Sequence, residues 1–290
     1  MNSFFRLIRL PNILIIVFTQ VLSGICLYPL GLALLQDLHF WIIILSTAFT
    51  AAAGYIINDY LDVNIDEINK PDKVVIGTSI KRKHAILIHI SISVIAVLGM
   101  AIVSYKLAVL VLVIGLLLIK YSSTFKKQVL VGNIFVSLFC SMTIFILYLW
   151  NSNILLNHVI AYSVFAFITT LNREIIKDTE DIKGDRMQHC KTFPVVYGIN
   201  KTKNLLYILN SVILTASIIY FYQLFERHDY YYNKMDYIAF VYALIFIIAP
   251  MFYMIFKLIL ARKVDEFGYL SKLNKLIMLS GILSLLFLIL

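Results

Sequence analysis

The run Ile86-Leu-Ile-His-Ile-Ser-Ile-Ser-Val-Ile-Ala-Val-Leu-Gly-Met-Ala-Ile-Val103 contains no Asp, Glu, Lys or Arg, and Ile238–Ile255 is a second run of the same kind. A helix of about 20 such residues crosses the hydrocarbon core of a bilayer. Working outward from these two runs, apolar spans lie near 12–35, 40–58, 84–104, 107–121, 131–150, 156–173, 204–223, 237–260 and 273–290. The weakest boundary falls at Ser104-Tyr105-Lys106, between the third and fourth spans.

The whole chain carries the same imprint. Of 290 residues, 61% are hydrophobic and only 14% charged, with mean hydropathy +0.89. A water-soluble domain carries roughly a quarter charged residues. The apolar excess must therefore face lipid, where only helices and closed barrels satisfy the backbone. Barrel strands are short and alternate in polarity, whereas these runs are long and continuous. The sequence predicts an all-α membrane protein, a bundle of nine transmembrane helices forming one domain over 1–290.

The net charge of +9 would suggest a nucleic-acid partner in a soluble protein. Here its placement matters more. With the N-terminus inside, all but three of the 25 Lys and Arg residues fall on cytoplasmic segments; the exceptions are Lys106, Arg227 and Lys234. That bias is the one the positive-inside rule describes. It puts the N-terminus in the cytoplasm, the C-terminus outside, and the long polar stretches 59–83 and 174–203 on the cytoplasmic face of a cell membrane. No nucleic acid is expected. Arg6 and Arg9 precede the first span as in a signal peptide, but no small-residue cleavage site follows, so that span reads as retained. Cys26 and Cys140 sit in apolar spans, and Cys190 beside His189 offers too few ligands for zinc.

Both polar stretches contain aspartates at i, i+3 and i+7. Asp59, Asp62 and Asp66 recur as Asp178, Asp181 and Asp185, each shifted by 119 residues, which suggests a two-half internal repeat with its boundary near 125–130. On a helix this spacing places three carboxylates on one face. Like charges so placed repel and need compensation. Mg²⁺ takes oxygen ligands, commonly one or two carboxylates plus substrate phosphate oxygens. Two such clusters at the ends of spans suggest metal ions bridging one diphosphate, with Asn58 as a neutral ligand. Lys70, Lys73, Lys126 and Lys177 lie on the same side and could neutralise the diphosphate. A single acidic run after a span is equally a solvated loop; two copies of one spacing favour a site.

These residues resemble the UbiA superfamily of intramembrane prenyltransferases over most of the chain. The resemblance rests on Asn58-Asp59-x-x-Asp62-x-x-x-Asp66 running into Asn69-Lys70-Pro71-Asp72-Lys73, on Tyr121-Ser122 with Lys126, on Gly132-Asn133, and on Asp178-x-x-Asp181-x-x-x-Asp185 followed by Lys191-Thr192-Phe193-Pro194 and Gly198. Two departures are Val74, where many members have proline after the basic residue, and Phe193, where leucine is commoner. The string Arg173–Asp185 is most similar to the branch that makes digeranylgeranylglyceryl phosphate. The resemblance implies Mg²⁺-dependent transfer of a prenyl group, geranylgeranyl in that branch, from a prenyl diphosphate to a lipid or aromatic acceptor, geranylgeranylglyceryl phosphate foremost. Quinone-pathway acceptors, 4-hydroxybenzoate or dihydroxynaphthoate, are the alternative. It implies Asp59, Asp62, Asp178 and Asp181 as catalytic metal ligands, with Asn58, Asp66 and Asp185 beside them. Lys70, Lys73, Tyr121, Ser122, Lys126 and Lys177 would hold the diphosphate, and Asn12 and Tyr60 are candidates for acceptor contact.

Two other classes compete. CDP-alcohol phosphotransferases confine their aspartates to one stretch with a Gly-Ala-Arg element, which this chain lacks. A cation transporter would place its carboxylates near the bilayer midplane on broken helices, whereas these sit at the ends of spans.

Overall fold

A computed structural model describes residues 3–69, 74–187, 189–226 and 233–288. Its helices are α1 (Ser3–Leu7), α2 (Leu10–Leu27), α3 (Leu38–Asn69), α4 (Arg82–Val103), α5 (Tyr105–Ser123), α6 (Val131–Trp150), α7 (Leu156–Glu180), α8 (Ile182–Met187), α9 (Phe193–Phe225), α10 (Asn233–Ala243), α11 (Ala249–Leu260) and α12 (Val264–Leu283). Short 3₁₀ turns cover Gly31–Gln36, Phe125–Lys127 and Ser284–Leu288. Among the described residues nine helical stretches are long and apolar enough to cross a membrane, and each expected span overlaps one of them. The chain is a multi-pass helical membrane protein.

Hydropathy marks where a helix leaves lipid, not where it stops, and the boundaries differ for that reason. The second span was expected over 40–58, yet α3 runs on to Asn69. Its polar continuation to Asn69 contains no Gly or Pro to break the helix. The sixth span likewise extends to Glu180. The seventh begins at Phe193 rather than 204, with Pro194 in its first turn and a bend at Gly198, where φ is 79°. Much of the two stretches expected as polar loops is therefore helix. The break between α4 and α5 falls at Ser104, in extended backbone, and Lys106 lies in the first turn of α5. The eighth span is interrupted by a π-turn over Leu244–Ile248. Pro250 follows directly and has no N–H to donate back into that turn.

On α4, Leu87, Ile90, Val94, Leu98 and Ile102 stand exposed at helical spacing, an apolar stripe suited to lipid. Inside, α3 packs on α2, α4 and α5, while α7 packs on α6, α9 and α12. Buried polar groups tie these neighbours together. Gln20 of α2 donates to the Thr143 carbonyl of α6 at 2.9 Å, and His89 of α4 meets the Ala53 carbonyl of α3 at 3.0 Å. Three buried asparagines join α7, α9 and α12. Asn172 Nδ2 donates to Asn274 Oδ1 at 3.0 Å, Asn210 Nδ2 donates to Asn172 Oδ1 at 3.0 Å, and Asn274 Nδ2 donates to the Thr169 carbonyl at 2.8 Å. Each amide needs the others, because no water is at hand to replace a lost partner.

Asn172→Leu keeps the branching of the side chain and leaves the Oδ1 atoms of Asn210 and Asn274 without their Asn172 donor. The expected result is a loss of about 1–2 kcal/mol, read as a lower melting midpoint in detergent. An unchanged midpoint would show that the triad does not hold the three helices.

Candidate active site

The last turns of α3 carry Tyr55, Asp59 and Asp62 at i, i+4 and i+7, on one face. The first of these carboxylates is held from α2. Arg9, in left-handed backbone just ahead of that helix (φ 51°), donates from Nη2 to Asp59 Oδ1 at 2.9 Å, and its guanidinium lies 4.9 Å from the centre of the Tyr55 ring. Asn12 lies beside the Tyr55 hydroxyl, and Asn58 beside the Asp59 carboxylate. Burial opposes the Arg9 charge, but Asp59, Tyr55 and Tyr121 together outweigh it and leave the guanidinium pKa above its ordinary value.

Asp62 is buried and ion-paired with the Lys126 ammonium. Lys126 lies in the Phe125–Lys127 turn between α5 and α6. That turn sits on Gly132, where a Cβ would come within 2.7 Å of the Lys126 Cα. Only glycine allows this backbone approach, so Gly132 sets where the lysine stands.

The second motif meets the first from across the bundle. Asp178, near the end of α7, accepts from Asn133 Nδ2 of α6 at 2.8 Å. The regular helix ends at Glu180, and Asp181 sits at φ −92°, ψ 8°. The three carboxylates expected on one continuous helical face are thus divided between the end of α7, its cap, and α8. The Asp185 N–H still donates to the Asp181 carbonyl at 3.0 Å, an α-helical i to i+4 bond, so the chain resumes a helix directly after the break. Thr192 Oγ1 donates to Asp185 Oδ2 at 3.0 Å, and the Lys191 N–H donates to the Lys127 carbonyl at 2.9 Å. The second motif is thereby fastened to the turn that carries Lys126. Cys190 lies within electrostatic reach of Asp62, Asp185, Lys126 and Lys127; burial first, and Asp185 second, push its thiol pKa up. Tyr121 of α5 lies within reach of Asp62, Glu174, Asp178 and Arg9. Both motifs share one end of the bundle, with Tyr121 between them.

Not every expected residue joins this centre. Lys177 donates to Glu174 Oε1 at 3.3 Å rather than to an aspartate. Tyr60 turns toward α4, where Arg82 lies 4.8 Å from its ring centre. Ser122 is buried beside Tyr121, with no hydrogen-bond partner for its hydroxyl among the described residues. Asp66 lies on α3, though its side chain is outside the described set, as are Lys70 and Lys73 altogether. Sequence reasoning passed over three participants as site residues: Arg9, Asn133 and Glu174. Asn133 stands at the start of a span beside Gly132, and Glu174 precedes Asp178 by one helical turn; both were visible signals. Arg9 offered only a positive charge ahead of a span.

Among the described residues no three His, Cys, Asp or Glu side chains converge closely enough to hold a metal ion by themselves. The donor set is nevertheless all oxygen, and it comes to one end of the bundle from α3 on one side and from α7 and α8 on the other. Such a set suits hard cations that complete their coordination on a ligand's phosphate oxygens.

Nine membrane-length helices among the described residues, with two acidic motifs at one end, define a class of intramembrane helical protein. The match to the UbiA prenyltransferase family model covers residues 17–276, and the chain belongs to that family. It is 32% identical over 175 residues to the digeranylgeranylglyceryl phosphate synthase of Methanosphaera stadtmanae; the alignment covers 60% of this chain and 64% of that relative, just under two thirds of its length. A solved structure concerned with digeranylgeranylglyceryl phosphate synthase superposes with TM-score 0.71 at 19% identity, covering 98% of this chain and 97% of the other. A UbiA homologue from Archaeoglobus fulgidus bound to GPP and Mg²⁺ superposes with TM-score 0.60 at 16% identity, covering 98% and 99%. At these identities the structural likeness establishes the fold alone.

Gly132→Ala should push the Phe125–Lys127 turn off α6 and separate Lys126 from Asp62. The expected outcome is a drop of about tenfold or more in transfer activity with the helical content unchanged by circular dichroism. Wild-type turnover in that variant would show that the approach at Gly132 does not position the lysine.

Proposed function

We propose that this chain is an Mg²⁺-dependent prenyltransferase that moves a prenyl group, geranylgeranyl by preference, from its diphosphate to geranylgeranylglyceryl phosphate. One observation carries the reading: acidic motifs 119 residues apart in sequence stand at one end of the bundle around Tyr121. The family membership, the name of the Methanosphaera relative and the GPP and Mg²⁺ bound to the Archaeoglobus homologue support it. The N-terminus and both motifs lie on the cytoplasmic side and the C-terminus outside, a topology supported by the distribution of Lys and Arg. The 119-residue shift supports two halves meeting near 125–130 within the single domain.

Asp59, Asp62, Asp66 and Asn58 of the first motif and Asp178, Asp181 and Asp185 of the second would hold Mg²⁺. When bound, the metal supplies Lewis acidity at the diphosphate oxygens and favours their departure. The chain's own groups do the rest. Lys126 would reach the same oxygens from the turn on Gly132; Lys70 and Lys73, which lie outside the described residues, are further candidates to neutralise them; and the Tyr121 and Ser122 hydroxyls would orient the diphosphate. Gly132 fixes the backbone of the turn that carries Lys126 before substrate arrives, which limits the reorganisation opposing loss of the leaving group. The acceptor hydroxyl then bonds to the allylic carbon as the carbon–oxygen bond to the diphosphate breaks, and its proton passes to the departing diphosphate; Asn12 is a candidate contact for the acceptor. The lipid-facing helices admit the prenyl tail from the bilayer.

Asp62→Ala and Asp181→Ala should each lower geranylgeranyl transfer by at least about a hundredfold while leaving the protein folded in detergent. EDTA should stop wild-type turnover and added Mg²⁺ restore it. An acceptor panel of geranylgeranylglyceryl phosphate, 4-hydroxybenzoate and dihydroxynaphthoate tests the acceptor. Full activity of either variant would sink the metal assignment, and transfer to the aromatic acceptors alone would overturn the lipid assignment.

A further inference from the structure

One group of charges on α7 is not used by the diphosphate chemistry alone. Arg173 donates from Nη1 to Glu174 Oε1 at 3.1 Å, and Lys177 donates to the same oxygen at 3.3 Å. These side chains are only 26%, 16% and 37% exposed. Glu174 and Asp178 are one turn apart on the same face of α7, with Glu174 about 6 Å further into the bundle. Ionisable groups inside a span are costly to keep there, and each calls for a partner and a role.

The partners do not balance. Two cations share one carboxylate, leaving one net positive charge in the group. The Nε–H of Arg173 is buried and has no hydrogen-bond acceptor among the described residues. Arg9 lies within electrostatic reach of Glu174 from the opposite wall, and Tyr121 lies within reach of both. The wall behind the aspartates thus sets two cations against Glu174 and, one turn on, Asp178, and it holds an unused guanidinium donor. Arginine's planar fork matches the oxygens of a phosphate.

Resting on the reading above, we infer that Arg173, oriented by Glu174 and assisted by Arg9 from across the cleft, binds the phosphate monoester of the lipid acceptor and sets the preference for a phosphorylated acceptor. A phosphate held one helical turn behind Asp178 leaves a hydroxyl on an adjacent carbon directed at the donor's reacting end. Glu174 is the counter-ion that keeps the guanidinium in place until the acceptor arrives. It also competes with the acceptor for that guanidinium.

The test uses the full chain in lipid nanodiscs with geranylgeranyl diphosphate, and compares geranylgeranylglyceryl phosphate with geranylgeranylglycerol, which lacks the phosphate. Wild type should favour the phosphorylated acceptor. Arg173→Gln should raise the KM for that acceptor by at least about tenfold, leave the donor KM within about twofold, and erase the preference. Arg173→Lys should fall between. Glu174→Gln removes the competing carboxylate and should shift the acceptor KM the opposite way, a sign that general loosening of the helix would not produce. The inference is overturned if Arg173→Gln raises donor and acceptor KM together, or if the preference survives in that variant; transfer by wild type would then leave the proposed function standing. If wild type turns over neither acceptor, the functional reading fails and this inference with it.

Discussion

Carboxylates placed at the mouth of a lipid-embedded bundle must be neutralised, and the arrangement around them follows from that need. Asp59 is answered by Arg9 from α2, Asp62 by Lys126 from the turn between α5 and α6, Asp178 by an amide from α6, and Glu174 by two cations of its own helix. Each of the first three answers comes from a different element. The local electrostatic requirement therefore pulls helices distant in sequence to one end of the protein. Gly132 is part of the same constraint, since without it the turn bearing Lys126 could not lie against α6.

The rest of the bundle provides a frame that resists this crowding of charge. The Asn172, Asn210 and Asn274 triad fixes α7 against α9 and α12 with bonds that cannot be exchanged for water. Gln20 and His89 do comparable work between α2, α3, α4 and α6. Outward-facing leucines, isoleucines and valines on α4 need no partner in the protein because lipid serves as one.

Much of this was legible in the sequence. Span number followed from the lengths of apolar runs, and the break near Ser104 from three less apolar residues. Helix ends were less legible because the continuations of α3 and α7 are polar, so hydropathy falls while the helix goes on. The aspartate spacing was plain, yet the path of the second triplet was not, because nothing in Asp178–Asp185 announces that the regular helix ends at Glu180. Arg9 and Asn133 were hidden for a different reason. Pairing across 50 residues, as for Arg9 and Asp59, depends on helix packing that no local pattern encodes.

The contrast between the two acidic walls has a mechanical side. α7 is bolted from behind by neutral amides that no polyanion would attract, so its aspartates belong to the stationary half of the vice. The aspartates of α3 are clasped by Arg9 and Lys126, the very groups a phosphate would solicit. Grip on a ligand and grip on that jaw therefore draw on the same two cations, and strengthening one necessarily relaxes the other.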